Sequence, residues 1–395
     1  MKCRLCESKN TSNFTNLGLQ PLANKYPKNK TEIKQEKKFP MDLLFCNDCL
    51  SAQIKKIINR KYLFEDYYYL SSVNKGLVDH FEKLAKKMTS KDFVVDIGSN
   101  DGVFLQHLKK NNIKFLGIDP SINVGNIANS KGLTTLIDFF NKRSVDKIIK
   151  TNGKPNIVVA SSIFTHLKNP NLFIKNLKSL LSKDGVFILE IEYLNSIINK
   201  KQFERFYFDR PYYYSLNSIN KLFAKNNMTF VNYEKISTHG GSVRCYIKNK
   251  RIAKKSLKLK KALINENKKL NKNNIELFSK KITHYSKDFK SKILEMISNN
   301  KYVIGYGCPA RVSTITNLSL IGDKYIKFII DDSPLKAGRY SPGMNIPIKK
   351  FDHLSLKKKY SVIVFAYDYF IDIKQKLKKY NCEFYFPIPL RKVSK

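Results

Sequence analysis

The sequence predicts an α/β protein with a small metal-binding module at its N-terminus. Three observations carry that reading. From about residue 90 onwards, apolar strand segments alternate with amphipathic helical segments, the pattern of a mainly parallel sheet covered on both faces. A glycine turn follows the first of those strands, and an acidic residue closes the second. Four of the seven cysteines fall before residue 50, in two Cys-x-x-Cys pairs.

The pairs are Cys3 and Cys6 in CRLC, and Cys46 and Cys49 in CNDC. Two intervening residues let both thiolates of a pair face one ion, and two such pairs complete a tetrahedral zinc site. Iron at the same ligands, or two disulfides, are the alternatives. Little apolar sequence accompanies the cysteines, so ligation is expected to supply much of the folding energy there. An aromatic cluster follows (Tyr62, Phe64, Tyr67, Tyr68, Tyr69), and then a helix from Lys75 to Lys87.

FVVDIG and KFLGIDP read as buried strands flanking the helix GVFLQHLKK. NIVVASSIF and GVFILEIEYL are further strands, with LFIKNLKSLL as the helix between them. The lysine-rich stretch 251–300 has apolar residues at helical spacing and is expected to form one or two long surface helices joining domains. YVIGYGCPAR, YIKFIIDDSP and YSVIVFAYDY then restart the strand–loop pattern as a second α/β unit.

At 395 residues and 42% hydrophobic content, the chain has enough apolar sequence for two or three cores. No apolar run reaches membrane-spanning length, and the N-terminus has no apolar signal region. Reduced, zinc-type cysteines fit a reducing compartment, so a cytoplasmic location is expected, with no membrane partner. The formal charge of +41 raises nucleic acid as a partner. However, the lysines are spread along the chain, lysine, asparagine and isoleucine are abundant throughout, and tryptophan is absent, as A·T-rich codon usage would produce. Nucleic acid is therefore not the expected partner.

Asp96-Ile97-Gly98-Ser99-Asn100-Asp101-Gly102 joins a strand to a helix. Glycine there admits a ligand close to the backbone, and the helix N-terminus offers free N–H groups. Asp119, followed by Pro120, ends the next strand and is placed to accept the hydroxyls of a ribose. The turn is not G-x-G-x-x-G, which argues against a dinucleotide. D-I-G-S-N-D-G instead looks like the first motif of class I methyltransferases, which implies S-adenosylmethionine as cofactor. That likeness places Asp138 and Phe139 around the adenine, and Ala160 and Ser161 in backbone contact with the cofactor.

The whole chain resembles the sugar C-methyltransferases of deoxysugar biosynthesis. The resemblance rests on FPMDLLFCNDCLSAQ, YYYLSSVNKGLVDHF, HGGSVR, GYGCPARVSTITN and DDSPLKAGRYSPGMNIPI. It implies three modules: a zinc-binding module (residues 1–65), a class I methyltransferase Rossmann-like core (66–247) and a C-terminal Rossmann-like α/β domain (248–395). It also implies a nucleotide-linked keto-deoxy sugar as substrate, methylated on carbon through an enolate, and a monomer or homodimer.

The family's active-site motif Y-H-E-H corresponds here to Tyr207-Phe208-Asp209-Arg210. The second histidine is the family's base, and an arginine cannot serve because it stays protonated. Tyr207, Asp209, His166 and His239 are the remaining candidates. Arg210 is expected to bind an anionic group of the acceptor. Tyr69 and Tyr207 are further expected acceptor contacts, with Lys336 and Arg339 on the diphosphate. The loss of that histidine leaves O- or N-methylation of a related sugar nucleotide open, and behind it a nucleic-acid methyltransferase or a non-catalytic sugar-nucleotide binder. Glu190 and Glu192 are read as structural ion-pair partners, and Cys308 as a small hydrophobe.

Overall fold

The computed structural model describes residues 1–59, 63, 71–72, 74–249 and 253–393, with the backbone alone at His239. β1 (Thr11–Gln20), β2 (Phe39–Cys46) and β3 (Ala52–Ile54) form an antiparallel sheet beside the cysteine pairs. The core follows with β4 (Phe93–Ile97), β5 (Lys114–Asp119), β6 (Thr135–Ile137), β7 (Ile157–Ser161) and β8 (Val186–Glu192), all parallel. Every residue of β4 is buried, as expected of a central strand covered on both faces. After β9 (Tyr212–Tyr213), the antiparallel hairpin of β10 (Thr229–Ile236) and β11 (Ser242–Lys248) completes the sheet.

The order of that sheet is β10-β11-β8-β7-β4-β5-β6. Strand succession reverses between β4 and β7, so a crevice opens at their carboxyl ends, where ligands of such sheets bind. The C-terminal sheet contains β12 (Val303–Tyr306), β13 (Ile329–Ile330), β14 (Ile348–Lys349), β15 (Lys359–Val364), β16 (Asn381–Pro387) and β17 (Leu390–Val393). Its order is β14-β13-β12-β15-β16-β17, parallel except for β17.

The three modules interlock across the boundaries drawn from sequence. β9, from the middle of the chain, pairs with β3 and becomes the fourth strand of the N-terminal sheet. The lysine-rich stretch forms two helices, Leu257–Lys269 and Lys272–Ser298. They are not confined to the surface. Leu259 is fully buried in the central core. Phe278 packs 5.9 Å from Phe14 of β1, and Phe14 lies 5.5 Å from Phe206.

Glu266 welds the first of these helices to the core. Only 2% exposed, it accepts the Tyr193 hydroxyl at 2.7 Å and Leu216 N at 2.9 Å on Oε1. Its Oε2 accepts Asn217 N and Nδ2, each at 2.8 Å. All four partners donate, so only a carboxylate satisfies them. Glu266→Gln turns one oxygen into a donor facing donors. Its expected cost is about 2–3 kcal/mol, read as a lowered denaturant midpoint for the central transition at unchanged secondary structure.

Candidate active site and metal centre

The two cysteine pairs occupy matching knuckles. Glu7 N donates to Cys3 O and Leu50 N to Cys46 O, both at 2.8 Å, and Glu7 (φ 64°) and Leu50 (φ 59°) each take the left-handed turn after a second cysteine. All four sulfurs lie within 4.8 Å of one another, and Cys3–Cys49 and Cys6–Cys46 are 3.7 and 3.6 Å apart. Zinc–sulfur bonds of about 2.3 Å at tetrahedral angles require sulfurs roughly 3.8 Å apart, so the donor set fits zinc and no disulfide is formed. Shared protons pull Cys3 and Cys6 (to about 7) below the ordinary thiol range and push Cys46 (to about 12) and Cys49 above it. Four coexisting thiolates therefore need a cation among them.

A cavity of about 510 Å³ opens at the carboxyl ends of β4 and β7. One wall is the glycine loop. Gly98 has φ 78°, and a Cβ there would collide with Ile163 across the cavity rim. Asp119 is held at both oxygens, by Asn100 N and Ser121 N at 2.9 Å each. Pro120, Asn100, Ser161, Asp138 and Phe139 also line this side. Asp138 is anchored by Arg143 at 3.1 Å, and the ring of Phe139 is largely exposed. Ser161 donates to Glu190 at 2.7 Å.

Asp96 forms the floor of this wall. Burial, and then the nearby Asp119 and Glu190 carboxylates, raise its pKa from the ordinary 3.8 to about 8. Glu190 stays ionised, down to about 2 despite burial, because His80 at 2.9 Å and Arg244 at 2.6 Å hold it.

The opposite wall gathers residues from all three modules: His166, Glu192, Arg205, Tyr207, Asp209 and Arg210 from the core, Asn24 and Tyr26 from the N-terminal module, and Arg311 and Lys336 from the C-terminal one. Arg210 does not stand free. It pairs with Glu192 and stacks 4.8 Å above the ring of Tyr207. Arg205 reaches Glu192 at 3.4 Å and Asp368 at 3.2 Å, and Arg311 also binds Asp368. Gly240 of HGGSVR sits where any side chain would run into the Arg205 guanidinium. His166 Nδ1 lies 2.7 Å from the backbone oxygen of Asp209, which can only accept. Nδ1 therefore carries a proton, which leaves Nε2 as the ring atom that could exchange one. Burial holds the Tyr207 hydroxyl well above its ordinary pKa, so it is a donor rather than a base.

Some expected residues lie elsewhere. Gly102 and Ala160 are off the cavity lining: Gly102 caps the helix Val103–Lys110, and Ala160 is wholly buried in β7. Arg339 is also off it, its guanidinium donating to the backbone oxygens of Leu335 and Tyr26 at 2.9 and 3.1 Å. Lys336 is at the cavity, tied to Asp331 at 3.2 Å. Tyr69 and the side chain of His239 fall outside what the structure describes. Asn24, Tyr26, Arg205 and Arg311 are site residues that sequence reasoning missed. Glu190 and Glu192 are ion-paired, and Cys308 is a fully buried thiol, as expected.

Three family models tile the chain: a zinc-binding domain over residues 3–64, a methyltransferase domain over 69–233 and a C-methyltransferase C-terminal domain over 237–389. The C-methyltransferase NovU of Streptomyces niveus is 24% identical over 403 residues, spanning 98% of this chain and 95% of the relative. Together these matches describe a zinc-binding C-methyltransferase. The chain is an S-adenosylmethionine-dependent methyltransferase with zinc as its second cofactor. Among solved structures, the magnesium protoporphyrin IX methyltransferase of Synechocystis PCC 6803 is 17% identical, covering 48% of this chain and 92% of that one at a TM-score of 0.36. No helix among the described residues of this C-methyltransferase is long and apolar enough to cross a membrane.

Asp96 has a consequence for stability. A carboxyl whose folded pKa is raised favours the native state at low pH, and that contribution is lost as pH rises towards the folded value. Without cofactor, this contribution of Asp96 is expected to be lost steadily between about pH 4 and 8. Asp96→Asn is expected to flatten that slope, as measured by denaturant melts across the range.

Proposed function

We propose that this enzyme methylates a carbon of a nucleotide-linked keto sugar, with His166 as the base in place of the family's second histidine. The observation that carries the reading is the pairing in one cavity of the Gly98–Asp119 wall with His166, whose ring is oriented by its Nδ1 bond to the Asp209 backbone oxygen. S-adenosylmethionine, held at that wall by Asp119 and the loop at Gly98, would supply an electrophilic methyl group. His166 would take the proton from the carbon beside the ketone, leaving an enolate. Tyr207, kept protonated by burial, would donate to the developing oxyanion. The Asp209 carboxylate would accept a hydroxyl of the sugar and fix its orientation.

The cationic end of the cavity supports an acceptor with an anionic part. Arg311 Nη1 is buried with no hydrogen-bond partner among the described residues, and Lys336 lies on the same wall. Together they suit the diphosphate of a sugar nucleotide. Arg210, paired with Glu192 as Arg311 is with Asp368 and Lys336 with Asp331, packs on Tyr207 along the same wall.

The test is product mass and NMR after incubation with S-adenosylmethionine and a panel of nucleotide-linked keto and amino sugars. The expected product is heavier by one methyl on carbon. His166→Gln is expected to lower kcat at least about 100-fold with cofactor affinity unchanged. Full activity of that variant, or a methyl on oxygen or nitrogen, would overturn the reading.

A further inference from the structure

The loop after β1 carries Asn24 into the cavity from the zinc-binding module. Its Nδ2 donates to Asp209 Oδ2 at 2.6 Å, and both side chains line the cavity. The loop is gripped just beyond Asn24 by the C-terminal module. Tyr26, 3% exposed, donates its hydroxyl to Cys308 O at 2.8 Å. Arg339 donates to Tyr26 O at 3.1 Å, and Tyr340 N to Pro27 O at 2.9 Å. On its other side Asp209 is steadied through its own backbone oxygen, which accepts from His166.

Asn24 thus sits where the three modules meet, and it contacts the one acidic side chain of the Tyr207–Arg210 segment. Asp209 is only 1% exposed. A buried carboxylate is costly unless donors satisfy it, and an amide donor favours its ionised form. A short bond between an amide and a carboxylate in a low-dielectric site is also directional, so it fixes the rotamer as well as the charge.

We infer that Asn24 is a positioning residue for methyl transfer: it aims the Asp209 carboxylate into the cavity. The zinc-binding module would then contribute to the chemistry and not only to the fold. This rests on the reading of Asp209 as an acceptor-side group.

The experiment is a double-mutant cycle of Asn24→Ala and Asp209→Asn in the full-length zinc-loaded enzyme, assayed with the acceptor that the wild type methylates. Zinc content and melting temperature serve as controls for folding. Asn24→Ala is expected to lower kcat about 10–100-fold, with cofactor affinity within about twofold. Asn24→Asp, which sets a second carboxylate against the first, is expected to be slower still. Adding Asn24→Ala to Asp209→Asn should cost nothing further, because the partner is already gone. Wild-type kcat for Asn24→Ala beside a slow Asp209→Asn would overturn the inference and leave the role of Asp209 standing. Additive losses in the double variant would also overturn it. An Asp209→Asn enzyme with full activity would remove the role of Asp209 itself, and the inference with it.

Discussion

The cavity depends on a buried ion network in the wall opposite the glycine loop. Glu192, at the end of β8, pairs with both Arg205 and Arg210. Asp368, from the C-terminal module, bridges Arg205 and Arg311. The Tyr367 hydroxyl closes the network by donating to Glu204. Charges this deep are tolerable only when paired, and losing one partner strands the others. The network therefore holds the C-terminal module in one position against the methyltransferase core. That position determines which residues face the Gly98–Asp119 wall. Its cost appears in the sequence as Gly240, where a side chain would displace Arg205.

Apolar packing and the same network together account for the departures in the Tyr207–Arg210 segment. Phe208 is 1% exposed and packs 5.9 Å from Phe39 of β2, so it has become part of the core shared with the N-terminal sheet. Arg210 completes the Glu192 pair and stacks on Tyr207. Neither position is left to move a proton. The neighbouring His166 is oriented by a backbone oxygen of the very residue that lies between the two changes. A shift of the base from one element to another is thus compatible with an otherwise intact site.

What was legible in the sequence was local. Two residues between cysteines, a glycine turn after a strand and an acid at the end of the next strand all act over short spans. Each of those features is where the spacing put it: Cys3, Cys6, Cys46 and Cys49 converge, and Asp119 faces the cavity. What was not legible is long-range. The bond from Asn24 to Asp209 and the strand pairing of β9 with β3 join segments with no common pattern. Glu266 looked like one more charge on a lysine-rich helix, yet it is the acceptor for four donors. Arg339 and Lys336 lie three residues apart and read alike as cations, but only Lys336 reaches the cavity because Arg339 is spent on backbone oxygens.

The central claim is that His166 opens the reaction by taking a proton from carbon. Solvent exchange tests it without methyl transfer. The enzyme, a keto sugar nucleotide that it methylates and S-adenosylhomocysteine in place of the methyl donor would be incubated in deuterium oxide and followed by NMR. The account predicts loss of the proton beside the ketone with the wild type, and retention of that proton with His166→Gln at equal binding of the sugar nucleotide. Exchange at the wild-type rate in the variant would contradict it.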